Sequence, residues 1–292
     1  MCNAIAQQLA TFAQHALRLE VDLAPKPGLV DPISNGAHRD MDVQTFYHSI
    51  QALTPYFDDY AQAGLKHQGD LRQLFERVRQ IGQQAEHAML QATQGVNTHK
   101  GANFSLAVLL AASGYYLQST DRVLTFSAKD TQAVCDIASQ MTQHLIAVDF
   151  ANLEAKSTLS YGERLYLEHG ITGIRGEAAG GYPCLTQQLL PLMRQKNPLD
   201  DSTTHWLRGL VYLMATSEDG NLLHRGGIQA LTQVQQEMLT LHQQQLPATA
   251  FRQSLIAYDQ QLVERYLSPG GSADLLGLGF YFAQLEQLVL PQ

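Results

Sequence analysis

Apolar residues recur along the chain at spacings of three and four, the period of one face of an α-helix. Similar stripes begin at Val43, Leu71 and Val134, and further helices are predicted over 201–216, 227–242, 249–266 and 272–289. Residues 123–126 form the one short strand candidate, because no alternation long enough for a sheet is present. The pattern therefore predicts an all-α fold. Its first stripe consists of Ile5, Leu9, Phe12, Ala16, Leu19 and Leu23.

The segment 104–116 is apolar almost without interruption. A helix that is apolar on every face is buried, so we predict a central helix over about 98–117, with Asn97 or Thr98 as its N-cap. The other helices would form a bundle around it. No internal repeat or break in composition divides the chain, so residues 1–292 are predicted to form a single domain.

The first turn of this central helix contains His99 and Lys100. Free backbone N–H groups at a helix start favour negative charge, so two cations there are expected to cost stability. A bound phosphate would remove the conflict, and Gly101 would let it approach the backbone closely. The alternative is a solvated lysine at a helix end.

Charged residues and glycines also cluster in the long loop 24–42 and in the segments 172–183, 217–227 and 268–274. Each cluster alone is explained by turn and cap chemistry, and Glu177 by an ion pair with Arg175 across a turn. Together they predict glycine-rich loops that form one site for a polyphosphate, with a divalent cation.

Composition limits the class of protein. The 292 residues are 45% hydrophobic and 16% charged, and the formal net charge is −8, which argues against a nucleic-acid surface. The longest apolar run is too short to span a bilayer. Cys2, Cys135 and Cys184 are widely spaced and odd in number, and the N-terminal segment does not have the pattern of a signal peptide. We therefore expect a cytoplasmic protein without membrane or nucleic-acid partners.

Six segments, in this order, resemble the triphosphoribosyl-dephospho-CoA synthase family. They are 25–31 (PKPGLVD), 35–42 (NGAHRDMD), 97–101 (NTHKG), 172–178 (TGIRGEA), 219–227 (DGNLLHRGG) and 268–274 (SPGGSAD). The resemblance covers nearly the whole chain. It implies a pentosyltransferase that converts ATP and 3′-dephospho-CoA into 2′-(5″-triphosphoribosyl)-3′-dephospho-CoA and adenine. It further implies that the product enters the pathway that modifies an acyl carrier protein, that of citrate lyase or, alternatively, of malonate decarboxylase.

This reaction assigns expected roles to the clustered residues. A cation must hold the triphosphate, a carboxylate must stabilise the oxocarbenium-like ribose, and a base must take the 2′-hydroxyl proton. The expected catalytic residues are Glu177, His38, His99 and Asp219. Substrate binding is expected at Lys26, Arg39, Asn97, Lys100, Arg175, Asn221, His224, Arg225, Gly270, Gly271 and Ser272, and Mg²⁺ is expected at Asp31, Asp40, Asp42 and Asp274.

Two other functions fit the same residues. A nucleotide N-glycohydrolase would direct the oxocarbenium ion to water, and it would release adenine without dephospho-CoA. A non-catalytic nucleotide sensor would need phosphate-binding residues but has little use for so many carboxylates and histidines.

Overall fold

The computed structural model describes residues 2–120, 124–151, 153, 156, 158–159, 161–195, 197–198 and 200–291. The predicted all-α fold is confirmed, since the described residues contain helices and no strand. The helices are α1 Cys2–Asp22, α2 Val43–Lys66, α3 Leu71–Ala92, α4 Lys100–Tyr116, α5 Ala128–Thr142, α6 Leu145–Asp149, α7 Tyr161–His169, α8 Gly173–Ala179, α9 Leu190–Met193, α10 Ser202–Thr216, α11 Gly220–Gln243, α12 Ala248–Glu264 and α13 Gly270–Leu285. A π-helical segment, Cys184–Leu189, leads directly into α9.

The predicted central helix is α4. Its residues from Ala102 to Gly114 are buried except Phe104, and it packs against α1, α2, α3, α5 and α13. The predicted cap is wrong, because the helix begins two residues later than expected and its N-cap is His99, whose side chain makes no capping hydrogen bond. The Asn97 side chain still accepts the Lys100 N–H, at 3.2 Å. Helix α13 is buried almost as completely, so two neighbouring helices form the centre of the bundle.

Two local predictions need correction. The strand candidate 123–126 begins at a residue outside the described part, and 124–126 are irregular chain in which the Phe126 N–H donates to the Leu285 carbonyl at 2.7 Å. Helix α11 begins at Gly220 rather than at 227, because Asp219 caps it. The left-handed φ of +71° at Gly227 interrupts this helix at its predicted start.

The long loop 24–42 is held in place by carboxylates. Asp31 accepts the backbone N–H groups of Lys26, Ile33 and Ser34, at distances of 2.8 to 2.9 Å. Asp259 of α12 accepts the Gly28 N–H at 2.8 Å and so ties the loop to the bundle. No helix in the described residues is long and apolar enough to cross a membrane.

Candidate active site

A cavity of about 710 Å³ opens where the clustered segments meet. Its wall combines the loop before α2, the starts of α4, α8, α11 and α13, and the end of α1. The predicted site residues that line it are His38, Asn97, His99, Lys100, Arg175, Glu177, Asp219, Asn221, Arg225, Gly270, Gly271 and Asp274. The fold therefore brings together segments that are far apart in sequence.

Asp274 on α13 places its carboxyl group at the start of α4. Its carboxylate lies so close to Gly101 that a Cβ at that position would come within 2.1 Å of Oδ2. It also accepts the backbone N–H of Ala102. Burial, with the charges of Glu20 and Asp219 next, raises the pKa of Asp274 well above its usual range. A carboxyl group of the chain itself therefore lies at the start of α4.

Lys100 points to the edge of the cavity. Its ammonium group contacts Glu86 of α3 at 2.6 Å, and 60% of the side chain is exposed. An ion pair this exposed contributes about 0 to 1 kcal/mol, so the lysine can exchange Glu86 for a ligand at little cost.

His99 precedes α4 and is buried in the cavity wall, with 2% of its surface exposed. Its Nδ1 lies 2.7 Å from the Ser49 hydroxyl, and burial, with the charge of Lys26, lowers the pKa of His99 to about 3. The imidazole is therefore neutral near neutral pH, and it cannot supply the positive charge that the sequence suggested at this position.

Asp219 joins the starts of α11 and α13. One carboxylate oxygen accepts the N–H groups of Asn221 and Leu222, and the other accepts the N–H and hydroxyl of Ser272, at 2.7 to 3.2 Å. Burial raises the pKa of Asp219, and these hydrogen bonds oppose that rise. Because both oxygens are bonded to the chain, the geometry gives Asp219 a positioning role rather than the expected catalytic one. Ser272 is fully buried beside it and does not line the cavity, so it is not placed to bind substrate.

Glu177 and Arg175 do not pair with each other. Glu177 accepts the Cys184 N–H at 3.2 Å, whereas Arg175 donates from Nε to Asp149 at 3.0 Å. Burial raises the pKa of Glu177, and the charge of Glu218 adds to this rise. The simple ion-pair explanation of this segment is therefore wrong, and both side chains line the cavity separately.

Arg225 and His38 form another part of the cavity wall. The Arg225 guanidinium donates to the carbonyls of Ala37 and Tyr266 at 2.9 and 3.2 Å, and it approaches the His38 ring at 3.1 Å. His38 also lies 2.9 Å from the Ser268 hydroxyl. Burial, followed by the charge of Arg225, lowers the pKa of His38, which favours the neutral form that a general base requires.

The other predicted residues lie outside the cavity wall. Lys26 is buried in an ion pair with Glu20 at 2.5 Å, and Arg39 donates to the Tyr266 hydroxyl at 3.0 Å. Asp42 caps α2, and Asp31 holds its own loop, so neither is placed as a metal ligand. The remaining two, Asp40 and His224, are exposed. Sequence alone did not separate these residues from the site because turn and cap chemistry uses the same residue types.

Sequence reasoning missed Glu20, which lines the cavity although only 5% of its surface is exposed. The buried face of α1 runs through Ala13, Ala16 and Leu17, and Glu20 continues it at helical spacing. The sequence did contain a signal for Glu20, because a glutamate falls on the apolar face of the first predicted helix. Burial raises the pKa of Glu20, and the charge of Lys26 opposes that rise.

The described residues contain no group of three or more histidine, cysteine, aspartate or glutamate side chains arranged to hold a metal ion. Of the four expected Mg²⁺ ligands, only Asp274 lines the cavity. Mg²⁺ bound to a polyphosphate usually takes one or two carboxylates and completes its shell with phosphate oxygens and water. The cavity wall fits that mode, because its carboxylates outnumber its cations. The carboxylates are Glu20, Glu177, Glu218, Asp219 and Asp274, and the cations are Lys100, Arg175 and Arg225.

Comparisons with known proteins agree with this helical nucleotide-type site. The family model described as ATP:dephospho-CoA triphosphoribosyl transferase matches residues 6–291. A protein of Streptococcus equi subsp. zooepidemicus (strain H70) is 47% identical over 291 residues, which cover 98% of this chain and 99% of the relative. One of Streptococcus pyogenes serotype M5 (strain Manfredo) is 48% identical over 294 residues, covering 99% and 100%. Both are named probable 2-(5''-triphosphoribosyl)-3'-dephosphocoenzyme-A synthase.

The family model and the two relatives identify a pentosyltransferase. The chain belongs to the ATP:dephospho-CoA triphosphoribosyl transferase family, as the resemblance of its six segments predicted. No solved structure matches it.

Proposed function

We propose that the cavity transfers the triphosphoribosyl group of ATP to the 2′-hydroxyl of 3′-dephospho-CoA and releases adenine. The observation that supports this most strongly is the convergence of four helix starts and the loop 24–42 on one cavity whose wall contains both cations and carboxylates. Such a wall suits a polyphosphate next to a carbon that becomes positively charged.

The reaction balances without a further reactant. The bond between ribose C1 and adenine N9 breaks, and its electron pair leaves with the purine. The 2′-hydroxyl oxygen of dephospho-CoA forms the new bond to C1. The 2′-hydroxyl loses one proton, and the departing adenine gains one. The protein therefore only has to accept a proton from the hydroxyl and supply one to the base.

Lys100, Arg175 and Arg225 are proposed to hold the triphosphate. All three line the cavity, and none of them is fully buried. Arginine suits phosphate because its planar guanidinium donates two parallel hydrogen bonds. Holding the phosphates fixes the ribose, which brings C1 into reach of its attacking hydroxyl.

Glu177 is proposed to act at the ribose. Its carboxylate is half-buried in the cavity wall and held by the Cys184 N–H, so it keeps one orientation. A fixed negative charge beside C1 stabilises the oxocarbenium-like transition state. His38, which is neutral and faces the same cavity, is proposed to accept the 2′-hydroxyl proton.

Mg²⁺ is proposed to accompany the triphosphate, since the lining carboxylates would otherwise repel it. Asp274 is the residue that would hold it, and when bound it would neutralise phosphate charge. Activity is expected to vanish in excess EDTA and to return with added Mg²⁺. Full activity in EDTA would show that the basic residues suffice.

The proposed reaction is tested by incubating the protein with ATP and 3′-dephospho-CoA and analysing the mixture by mass spectrometry. We expect the triphosphoribosyl adduct and adenine in equal amounts. Adenine at a comparable rate without dephospho-CoA would identify a glycohydrolase. Binding of ATP without any product would identify a nucleotide sensor.

We further propose that the protein works in the cytoplasm, where its product enters the pathway that modifies the acyl carrier protein of citrate lyase. The free, buried thiols of Cys135 and Cys184 suit a reducing compartment. Deletion of the gene is expected to leave the carrier subunit of citrate lyase without its prosthetic group, which intact-mass measurement would detect. Loss of the group from a malonate decarboxylase carrier instead would assign the product to that enzyme.

A further inference from the structure

His99 has one ring nitrogen without a hydrogen-bond partner. Its Nε2 is buried, and no donor or acceptor among the described residues contacts it. A buried polar atom left unpaired is costly, so native structures pair such atoms with ordered water, an ion or a ligand. Because His99 lines the cavity, the partner of Nε2 is expected to be a substrate atom.

The other ring nitrogen is fixed by two hydroxyl groups. Thr98 donates from Oγ1 to the Ser49 hydroxyl at 2.7 Å, and that hydroxyl lies 2.7 Å from His99 Nδ1. Ser49 is fully buried on α2, and its own proton has no other acceptor among the described residues. The proton is therefore directed to Nδ1, which places the ring proton of the neutral imidazole on Nε2.

The ring next to His99 is aromatic and apolar. Phe46, one helical turn before Ser49, meets the imidazole edge-on with ring centroids 5.0 Å apart, and it lines the same cavity. Leu29, Val30 and Met41 of the preceding loop line this cavity as well. Flat heteroaromatic rings bind well in such surroundings, where a few polar atoms fix their orientation. Both substrates of the proposed reaction contain adenine.

We propose that Ser49 and Thr98 hold His99 as a neutral hydrogen-bond donor, and that its Nε2–H binds a ring nitrogen of an adenine base in the cavity. Ser49 is then a positioning residue, and His99 contacts the substrate without exchanging a proton with it. This inference rests on the proposed function, because that function supplies the adenine.

A donor at this position has a chemical use if the base belongs to ATP. When the bond between C1 and N9 breaks, the electron pair spreads over the purine nitrogens, and a hydrogen bond to one of them stabilises that charge. The bond strengthens as the charge develops, so it lowers the barrier rather than only tightening binding. If the base belongs to dephospho-CoA, the same donor orients the acceptor and acts on KM.

Two substitutions of His99 separate a donor from a proton-transfer role. His99→Gln places an amide N–H near the position of Nε2 but cannot accept a proton, whereas His99→Leu removes both abilities. We expect His99→Leu to lower kcat/KM by about 10² to 10³, the loss seen for one well-placed donor, and His99→Gln to recover at least about tenfold of it. Equal losses in the two variants would overturn the proposal.

The positioning role of Ser49 is tested by Ser49→Ala and Ser49→Thr. Ser49→Ala is expected to lower activity, and Ser49→Thr, which keeps the hydroxyl, to restore it. Ser113→Ala is the matched control, because Ser113 is also buried and hydrogen-bonded, to Tyr281 at 2.9 Å, but does not line the cavity. In ¹⁵N NMR spectra, His99 is expected to show a protonated Nε2 and an unprotonated Nδ1, with its signals assigned from their loss in His99→Gln. A protonated Nδ1, or full activity of Ser49→Ala, would overturn the proposal.

Deaza nucleotides, in which carbon replaces one purine nitrogen, identify the base and the atom. The ratio of wild-type to His99→Leu rates is measured with 1-, 3- and 7-deaza forms of ATP, and separately of dephospho-CoA. With one analogue we expect the wild-type and His99→Leu rates to become about equal, because that analogue lacks the nitrogen that accepts the Nε2–H bond. A ratio unchanged with all analogues would overturn the proposal. Absence of transfer by the wild-type protein with natural substrates would instead refute the proposed function.

Discussion

The carboxylate of Asp274 fills the space beside Gly101 in which any other residue would place its Cβ. The clash distance would be 2.1 Å, whereas real Cβ contacts are rarely closer than about 3.4 Å. This contact joins the starts of α4 and α13, the two buried helices at the centre of the bundle. It explains why a glycine follows two basic side chains at this helix start.

Gly101→Ala is therefore expected to destabilise the protein by about 1 to 3 kcal/mol, the usual cost of overpacking, and to lower activity by moving Asp274. Thermal unfolding and kcat measured on the same preparation check both effects. Gly82→Ala is the control, because Gly82 lies inside α3 and its Cβ would meet only the Tyr60 hydroxyl, at 3.6 Å. An alanine there is expected to preserve or raise stability. Equal melting temperatures for Gly101→Ala and wild type would show that the contact is not tight.

Asp274→Asn is expected to stabilise the ligand-free protein above neutral pH while abolishing most activity. Because the pKa of Asp274 is raised in the folded state, its ionised form disfavours folding. The contribution of Asp274 to folding stability is fully present below its pKa in the unfolded chain, where the carboxyl group is protonated. That contribution is lost as the pH rises through the raised pKa of the folded state. An asparagine can still accept the Ala102 N–H and carries no charge.

The melting temperatures of wild type and Asp274→Asn, measured at several pH values from mildly acidic to mildly alkaline, test this expectation. The melting temperature of Asp274→Asn should increase relative to that of wild type as the pH rises. Comparing the two proteins cancels the opposing effect of the histidines with lowered pKa values, such as His38 and His99. A variant that melts lower at every pH would show that the charge of Asp274 stabilises the fold.

The position of the central helix was predictable from sequence because residues 104–116 leave no polar face, and burial is the only outcome for such a helix. The contact of Asp274 with Gly101 was not, since helical periodicity gives the faces of helices but not which faces meet. The loop 24–42 shows a further limit. Asp31 and Asp42 bind backbone N–H groups, and a carboxylate that holds a loop has the same sequence context as one that holds a metal.

Lys100→Ala is expected to lose at least about 10² in kcat/KM and almost no stability, because its exposed pair with Glu86 contributes about 0 to 1 kcal/mol. Lys66→Ala is the matched control, since Lys66 is an exposed lysine in the last turn of α2 outside the cavity wall. Steady-state kinetics of the two variants decide the point. Normal turnover by Lys100→Ala would remove this lysine from the triphosphate site.

Arg175→Ala is expected to lose activity to a similar extent, at least about 10², while the protein remains folded. Its partner Asp149 keeps a second cation, because Arg79 donates to it at 3.2 Å. Arg175→Lys keeps the charge but not the planar pair of donors, so only partial recovery is expected. If Arg175→Ala unfolds, circular dichroism will show it, and Arg175→Lys then carries the test.

Glu177→Gln is expected to keep a nearly normal melting temperature and to lower kcat by about 10² or more, because it removes the charge that the transition state uses. The shape of the side chain and a carbonyl acceptor for the Cys184 N–H both remain. Adenine release and thermal unfolding are measured on one preparation. An unchanged kcat would leave Glu177 as the residue that only holds the Cys184 backbone.

The slow Glu177→Gln variant also allows the most direct test of the cavity as the reaction site, which is a crystal structure of this variant with ATP and Mg²⁺. We predict that the triphosphate lies in the cavity, with its oxygens bonded to Arg175, Arg225 or Lys100, and that ribose C1 faces residue 177. A triphosphate bound elsewhere on the surface, at full occupancy and with the cavity empty, would contradict the account.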